Sequence, residues 1–159
     1  MHNFQRSTRI RAPQDRVWAR MVTPEGINDE FFPYLRMTMP ASLRGQGIGD
    51  IPLGTVVGAS WLLLFGILPL DIDFLCLVAL DPGRRFLERS TMLSMRLWQH
   101  ERRVDPVPEG CIIEDRIGFA LRRPFAWLPG LRPLLLLLLP ALFDHRQRRL
   151  KRWAEAGAA

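Results

Sequence analysis

The stretch CIIEDRIGFAL, Cys111 to Leu121, decides how the chain is read. Side chains alternate across a strand, so Ile113, Asp115, Ile117 and Phe119 share one face while Glu114 and Arg116 take the other. The first set is apolar except for Asp115, and a half-buried strand turns its apolar face inward. Asp115 is therefore an acid pointed at a core. Upstream, Pro106-Val107-Pro108-Glu109-Gly110 is a turn, and Met95 to Val104 before it is a strand with Trp98, His100 and Arg102 on one face. Arg85 to Met92 is the strand before that, reached from Leu70 to Leu80 through the tight turn Asp81-Pro82-Gly83.

Short turns between consecutive strands imply an antiparallel sheet, and the turn positions imply its register. A hairpin turning near Val107-Pro108 pairs residues whose numbers sum to about 215, which sets His100 opposite Asp115 and Trp98 opposite Ile117. A turn near Leu93-Ser94 gives sums of about 188, which sets Glu88 opposite His100 and Ser90 opposite Trp98. Glu88, His100 and Asp115 then form a row on one sheet face, with Arg102 one step along. Buried charges must be paired or change protonation state. A histidine between two carboxylates favours its charged form, while burial opposes that. The row is read either as a satisfied polar cluster or as a ligand-orienting or acid–base group.

Working outward, Phe4 to Arg11 is an opening strand ended by Ala12-Pro13. A short helix follows, with Pro13 and Asp15 at its start and Val17, Trp18 and Met21 on its apolar face. Thr23-Pro24-Glu25-Gly26 breaks it and begins a second short helix running to about Phe32. Leu35 to Ser42 and Thr55 to Phe65 are further strands, separated by a loop with four glycines. Beyond the last strand, Pro124, Pro129 and Pro133 punctuate a linker, and Leu134 to about Ala156 is a long helix that Pro140 should kink or divide. The order predicts an α+β fold of one domain, residues 1–159: a curved antiparallel β-sheet of about seven strands gripping the C-terminal helix.

Composition excludes several classes. With 48% hydrophobic and 24% charged residues the chain is not disordered. Cys76 and Cys111 are too few for a disulfide scaffold and match no zinc motif, so no metal or other cofactor is expected. The excess of 22 Lys+Arg over 16 Asp+Glu gives +6, concentrated in the run His145 to Arg152, read as a solvated helix end. No zinc finger, RNA-recognition signature or basic-aromatic repeat supports nucleic-acid binding. Met1 to Arg11 lacks the apolar stretch of a signal peptide, and the expected location is the cytoplasm. Two apolar runs, Trp61 to Leu70 and Leu131 to Phe143, fall short of the roughly 20 residues of a spanning helix. The second, with six consecutive leucines, leaves an interfacial membrane contact open.

Leu70 to Leu80 is apolar on both faces, which calls for cover on both: a homodimer through the sheet face, or a membrane. Asp71 and Asp73 in the same strand are read as exposed or cavity-edge acids, and Gly45-Gln46-Gly47-Ile48-Gly49 as a loop at a cavity mouth.

The chain resembles the START-like, or SRPBCC, superfamily with its helix-grip fold. The resemblance rests on Ile10-Arg11-Ala12-Pro13 with Val17-Trp18, Thr23-Pro24-Glu25-Gly26-Ile27-Asn28 leading to Glu30 and Pro33, Trp98-Gln99-His100-Glu101-Arg102, Asp115-Arg116-Ile117-Gly118-Phe119, and Phe143-Asp144-His145-Arg146 with Leu150. Ser90 and Arg102 stand where such proteins commonly carry a glutamine and a second histidine, so the polar lining differs. The resemblance implies an internal apolar cavity binding a hydrophobic small molecule of lipid, polyketide or isoprenoid type, without chemistry. Trp61, Trp98, Ile113, Ile117, Phe119 and Leu135 would line it; Glu88, Ser90, His100, Arg102 and Asp115 would hold a polar end. An alternative is a cyclase/dehydratase-type enzyme with His100 and Asp115 as acid–base pair. A third is a non-catalytic interaction protein dimerising through its sheet face.

Overall fold

A computed structural model describes residues 1–157, so the last two residues of the expected 1–159 span lie outside the described residues. The strands are β1 (His2–Ile10), β2 (Leu35–Met37), β3 (Val56–Leu64), β4 (Leu68–Asp81), β5 (Arg85–Met92), β6 (Met95–Val107) and β7 (Gly110–Leu121). The helices are α1 (Gln14–Met21), α2 (Pro24–Phe31), α3 (Arg123–Ala126) and α4 (Leu131–Ala156). One antiparallel sheet of seven strands runs β1-β7-β6-β5-β4-β3-β2. The first strand closes against the last, and α4 lies across the inner face. This is a helix-grip fold.

Local chemistry accounts for the element ends. Thr23 caps α2: its Oγ1 accepts from the Gly26 amide at 3.0 Å and donates to the Arg20 carbonyl at 2.9 Å. A Cβ at Gly26 would lie 1.8 Å from the Arg20 carbonyl oxygen, so only glycine lets the α1–α2 corner close. The strand expected to reach Ser42 stops at Met37, because Pro40 offers no ladder donor and Ala41–Leu43 winds into a 3-10 turn.

The register of β5 on β6 is the expected one: Glu88 opposes His100 and Ser90 opposes Trp98. The β6–β7 register differs by two. Val107 pairs with Gly110, leaving Pro108 and Glu109 as a two-residue turn with Glu109 at φ 67°. Arg102 therefore opposes Asp115, and His100 opposes Ile117. A shift of two keeps every side chain on its expected face and changes only its neighbour.

Pro140 does not divide α4, which is continuous over 26 residues. The carbonyl it leaves without a helical donor is that of Leu136, on a solvent-facing part of the helix where water can satisfy it. The two halves of α4 differ. Phe143, Arg146, Gln147, Leu150 and Ala154 form a buried stripe at helical spacing, packed with the sheet and α2. Leu134, Leu136, Leu137 and Leu138 are exposed. No described helix is long and apolar enough to cross a membrane.

The inner face of β4 carries Asp73, Leu75 and Leu77, all buried; Ile72, Phe74, Cys76 and Val78 on the outer face are half-buried. Both cysteines are free thiols, and burial pushes the Cys111 thiol up from its ordinary pKa.

Candidate functional site

The sheet does not close fully on α4. Between the inner faces of β4, β5 and β6, helix α2 and the first half of α4 lies a cavity of about 430 Å³. Its lining is mostly apolar, with Leu75, Met92, Trp98, Leu135, Leu139 and Phe143 among its walls. Asp71, Asp73, Glu88, His100 and Arg146 reach the same space.

At the inner end stands a knot of paired charges. Arg102, completely buried, gives its Nη1 to both oxygens of Glu30 at 2.8 and 2.9 Å. Its Nε and Nη2 take the two oxygens of Asp115 at 2.6 and 3.0 Å. Asp115 also accepts from Gln147 Nε2 at 2.7 Å and meets His100 Nε2 at 2.7 Å. Arg146 Nε donates to Glu30 at 3.1 Å, and its guanidinium lies over the Phe31 and Phe143 rings at 4.3 and 4.8 Å. Thr8 Oγ1 donates to Gln147 Oε1 at 2.7 Å, which ties β1 into the same network.

Two guanidiniums face two carboxylates here, so the knot is neutral when His100 is neutral. Burial lowers the His100 pKa, outweighing the opposing pull of Asp115. The neutral ring donates from Nε2 to the Asp115 carboxylate and keeps Nδ1 as an acceptor. Burial alone would raise Asp115, but the Arg102 charge and the His100 hydrogen bond hold it well below the usual carboxylate range. Burial likewise disfavours the Arg102 charge, and Asp115 and Glu30 reverse this, leaving its pKa above the ordinary value.

The second polar group is unlike the first. Ser90 Oγ donates to Glu88 Oε1 at 2.7 Å and accepts from the Cys76 amide at 3.1 Å. Asp73, 2% exposed, stands at the cavity wall with its Oδ1 buried and unpartnered among the described residues. Ser60, its cross-strand neighbour on β3, also has a buried and unpartnered hydroxyl. Burial pushes the Asp73 carboxyl up to about 9, helped by the Glu88 charge and a hydrogen bond from the protonated acid to Glu88, with Ser90 opposing and Asp71 adding to the rise. Asp71 binds the Ser94 amide at 3.2 Å and the Ser94 hydroxyl.

Of the residues singled out in the sequence, Glu88, Trp98, His100 and Leu135 line the cavity. Ser90 is buried behind Glu88 and holds it. Ile117 and Phe119 are buried in the cluster that contains Trp98 and Phe143, whereas Ile113 belongs to the other core cluster with Leu77 and Leu150. Arg102 and Asp115 are saturated inside the knot, outside the lining. Trp61 is a correction: it is 45% exposed on the outer face, because Ser60 and Leu62 hold the inner positions of β3, beyond a bulge at Gly58.

Of the two expectations for Asp71 and Asp73, exposed or cavity-edge, the second fits, since both line the cavity, and Asp73 is buried there. The basic run from His145 is not wholly solvated, since Arg146 and Gln147 are buried and Arg149 pairs with Asp29 at 2.7 Å. Glu30, Arg146 and Gln147 were not assigned to the site from the sequence, although Glu30 and Arg146 stand in the stretches that carry the resemblance. The signal for the last two was their place on the 143–150 stripe of α4. Among the described residues, no group of three or more His, Cys, Asp or Glu is arranged to hold a metal ion.

The family model described as a domain of unknown function, DUF8410, matches residues 8–154. The chain belongs to the DUF8410 family. No curated protein matches this DUF8410 chain in sequence. Solved structures do match in fold. Protein CV1439 from Chromobacterium violaceum is 13% identical at a TM-score of 0.69, covering 98% of this chain and 99% of that one. A START superfamily protein from Mycobacterium smegmatis is 10% identical at a TM-score of 0.67, covering 98% and 99%. StfQ, a di-domain ARO/CYC protein of the steffimycin biosynthetic pathway, is 15% identical at a TM-score of 0.64, with 98% of this chain covered and 51% of that one. The DUF8410 chain thus spans about half of StfQ. At these identities the likeness shows the fold, which is of the START-like, SRPBCC type.

Proposed function

We propose that the protein binds a hydrophobic small molecule between its sheet and α4, with the ligand's apolar body against Trp98, Leu135 and Phe143 and its polar end toward Glu88 and His100. The observation that carries this reading is the cavity of about 430 Å³, mostly apolar with a few convergent polar groups. That is the usual character and size of a small-molecule site. A START superfamily protein and an ARO/CYC protein share the fold, which is consistent with this use. The knot at the inner end has a supporting part: it fixes His100 and joins β6, β7, α2 and α4 around the space.

Two measurements test the proposal. Native mass spectrometry of the purified protein should show a bound small-molecule mass that organic solvent removes. An environment-sensitive dye such as 1-anilinonaphthalene-8-sulfonate should brighten on binding, and Leu135→Trp, which fills the space, should abolish the brightening without loss of fold by circular dichroism. Neither a bound mass nor any dye response would overturn the reading.

A second reading, acid–base catalysis of the cyclase/dehydratase kind, is favoured by one observation: His100 lines the cavity while Asp115 holds its Nε2 at 2.7 Å. A neutral, oriented imidazole offering Nδ1 to a ligand meets the geometric demand on a general base. His100→Gln should then abolish turnover of a cyclisable polyketide analogue and keep its binding. Equal turnover by that variant would exclude this role.

A further inference from the structure

Arg146 stands where the knot meets the cavity, and it is the one arginine or lysine in the lining among the described residues. A guanidinium has five N–H donors. Arg102 spends four hydrogen bonds on Glu30 and Asp115. Arg146 spends one, from Nε to Glu30 Oε2 at 3.1 Å, an oxygen that Arg102 already takes at 2.9 Å. Its Nη1 and Nη2 have no hydrogen-bond partner among the described residues. The residue is only 5% exposed, and its guanidinium lies over the Phe31 and Phe143 rings, which attract the charge without supplying a lone pair. Burial, with the Arg102 charge, lowers the Arg146 pKa in spite of Glu30, whereas that of Arg102 is raised. Of the two cations, Arg146 is the under-compensated one. A buried, charged donor without an acceptor is costly, so this end of the cavity is short of one.

The rest of the lining says what should carry that acceptor. Leu135, Leu139, Leu142, Phe143 and Arg146 all line the cavity from α4, at spacings that put them on one side of the helix. At about 1.5 Å per residue this row is roughly 16 Å long, and it is apolar until its last member. Leu128, in the α3–α4 connection before the row, lines the cavity and is 52% exposed, so the space opens there. At the inner end, the His100 ring and the Arg146 guanidinium lie 5.2 and 4.8 Å from the centre of the Phe143 ring. The acids of the β4–β5 wall are engaged elsewhere: Asp71 bonds to Ser94, and Glu88 takes the Ser90 hydroxyl and the Asp73 proton. In an apolar surround a charge-assisted bond is strong, and the paired N–H groups of a guanidinium fit the two oxygens of a carboxylate. We infer that Arg146 anchors the carboxylate of a long-chain ligand whose tail runs along the α4 leucines toward the mouth.

This rests on the cavity's being a ligand site, and the test separates the two claims. Decanoate, methyl decanoate and decanol carry similar chains and differ in the head. Displacement of the neutral dye Nile red at neutral pH should need about tenfold less decanoate than either of the others. Arg146→Gln removes the charge and the fork. It should weaken decanoate about tenfold and leave decanol within about twofold, a split that a merely structural role would not produce. Arg146→Lys, which keeps a charge for Glu30 and gives up the fork, makes the same test if the first variant does not fold. Methyl decanoate or decanol binding the unaltered protein as tightly as decanoate would overturn the anchor and leave the ligand-binding reading standing. Equal weakening of decanoate and decanol by the variant would also overturn the anchor, since Arg146 would then act only on the shape of the cavity. Displacement by none of the three would overturn both claims.

Discussion

Two polar clusters share the inner face of one sheet, and they solve the problem of burial in opposite ways. In the Arg102 knot, two guanidiniums, two carboxylates, an amide and an imidazole make seven hydrogen bonds among themselves, from Arg102, Arg146, His100 and Gln147 to Glu30 and Asp115, and the Thr8 hydroxyl adds an eighth to Gln147. Around Asp73 the wall has two internal donors, the Ser90 hydroxyl and the Asp73 proton, both spent on Glu88, and among the described residues it leaves the other Asp73 oxygen and the Ser60 hydroxyl without partners. A cluster of paired charges acts as structure. An unsaturated cluster at a cavity is poised for something outside the chain.

The largest effect should come from opening the knot. Arg102→Met removes the fork that holds both Glu30 and Asp115, leaving buried carboxylates uncompensated. Breaking a buried pair from one side costs about 3–5 kcal/mol. Urea unfolding of this variant against the unaltered chain checks it, and a loss below about 1 kcal/mol would mean the knot is no more structural than the wall. The acid limb gives a second reading of the same cluster. Asp115 has a folded pKa below its ordinary value, so the stability it contributes is present above about 4 and lost as pH falls through the lowered value. His100, also lowered, adds a loss below its ordinary 6.5, because the unfolded chain takes up the proton first.

The wall should respond in the opposite sense. Asp73 has a folded pKa of about 9 against an ordinary 3.8, so its contribution is fully present below 3.8 and is lost as pH rises toward and through 9. At neutral pH the native state holds a proton that the unfolded chain has released. Asp73→Asn removes that burden. It should stabilise the empty protein by about 1–3 kcal/mol at pH 8, with the gain vanishing near pH 4. Thermal unfolding at the two pH values measures this. Destabilisation at both would place Asp73 with the structural cluster and erase the contrast.

The sheet was largely legible, and the clusters only in part, for reasons visible residue by residue. Period-two alternation fixed the inner faces of β5, β6 and β7, and so turned Glu88, Trp98, His100 and Asp115 inward. The β6–β7 partners were misjudged by two because Glu109 adopts a left-handed conformation, a choice that a non-glycine residue does not announce. Glu30 and Arg146 come from α2 and α4, whose meeting is a tertiary event that alternation cannot reach. Asp73 was ambiguous because β4 is apolar on both faces, so its parity carried no inside or outside. Trp61 misled for a related reason: a large aromatic claims the core on composition, while the small Ser60 held the inner position.

The finest test of the contrast lies at Ser90. Its hydroxyl donates to Glu88 and accepts from the Cys76 amide. Ser90→Ala leaves both without these partners, so the empty protein should lose about 1 kcal/mol, the worth of an ordinary hydrogen bond. In the knot, deleting a single such bond would have no remedy from outside. In the wall, a bound hydroxyl or amine can donate to Glu88 in place of Ser90. Excess decanol should therefore raise the thermal midpoint of Ser90→Ala more than that of the unaltered chain, since a ligand that binds the native state stabilises it in proportion to its affinity. Equal shifts in the two proteins would mean that Glu88 does not reach the ligand, and that the wall is unsaturated without being receptive.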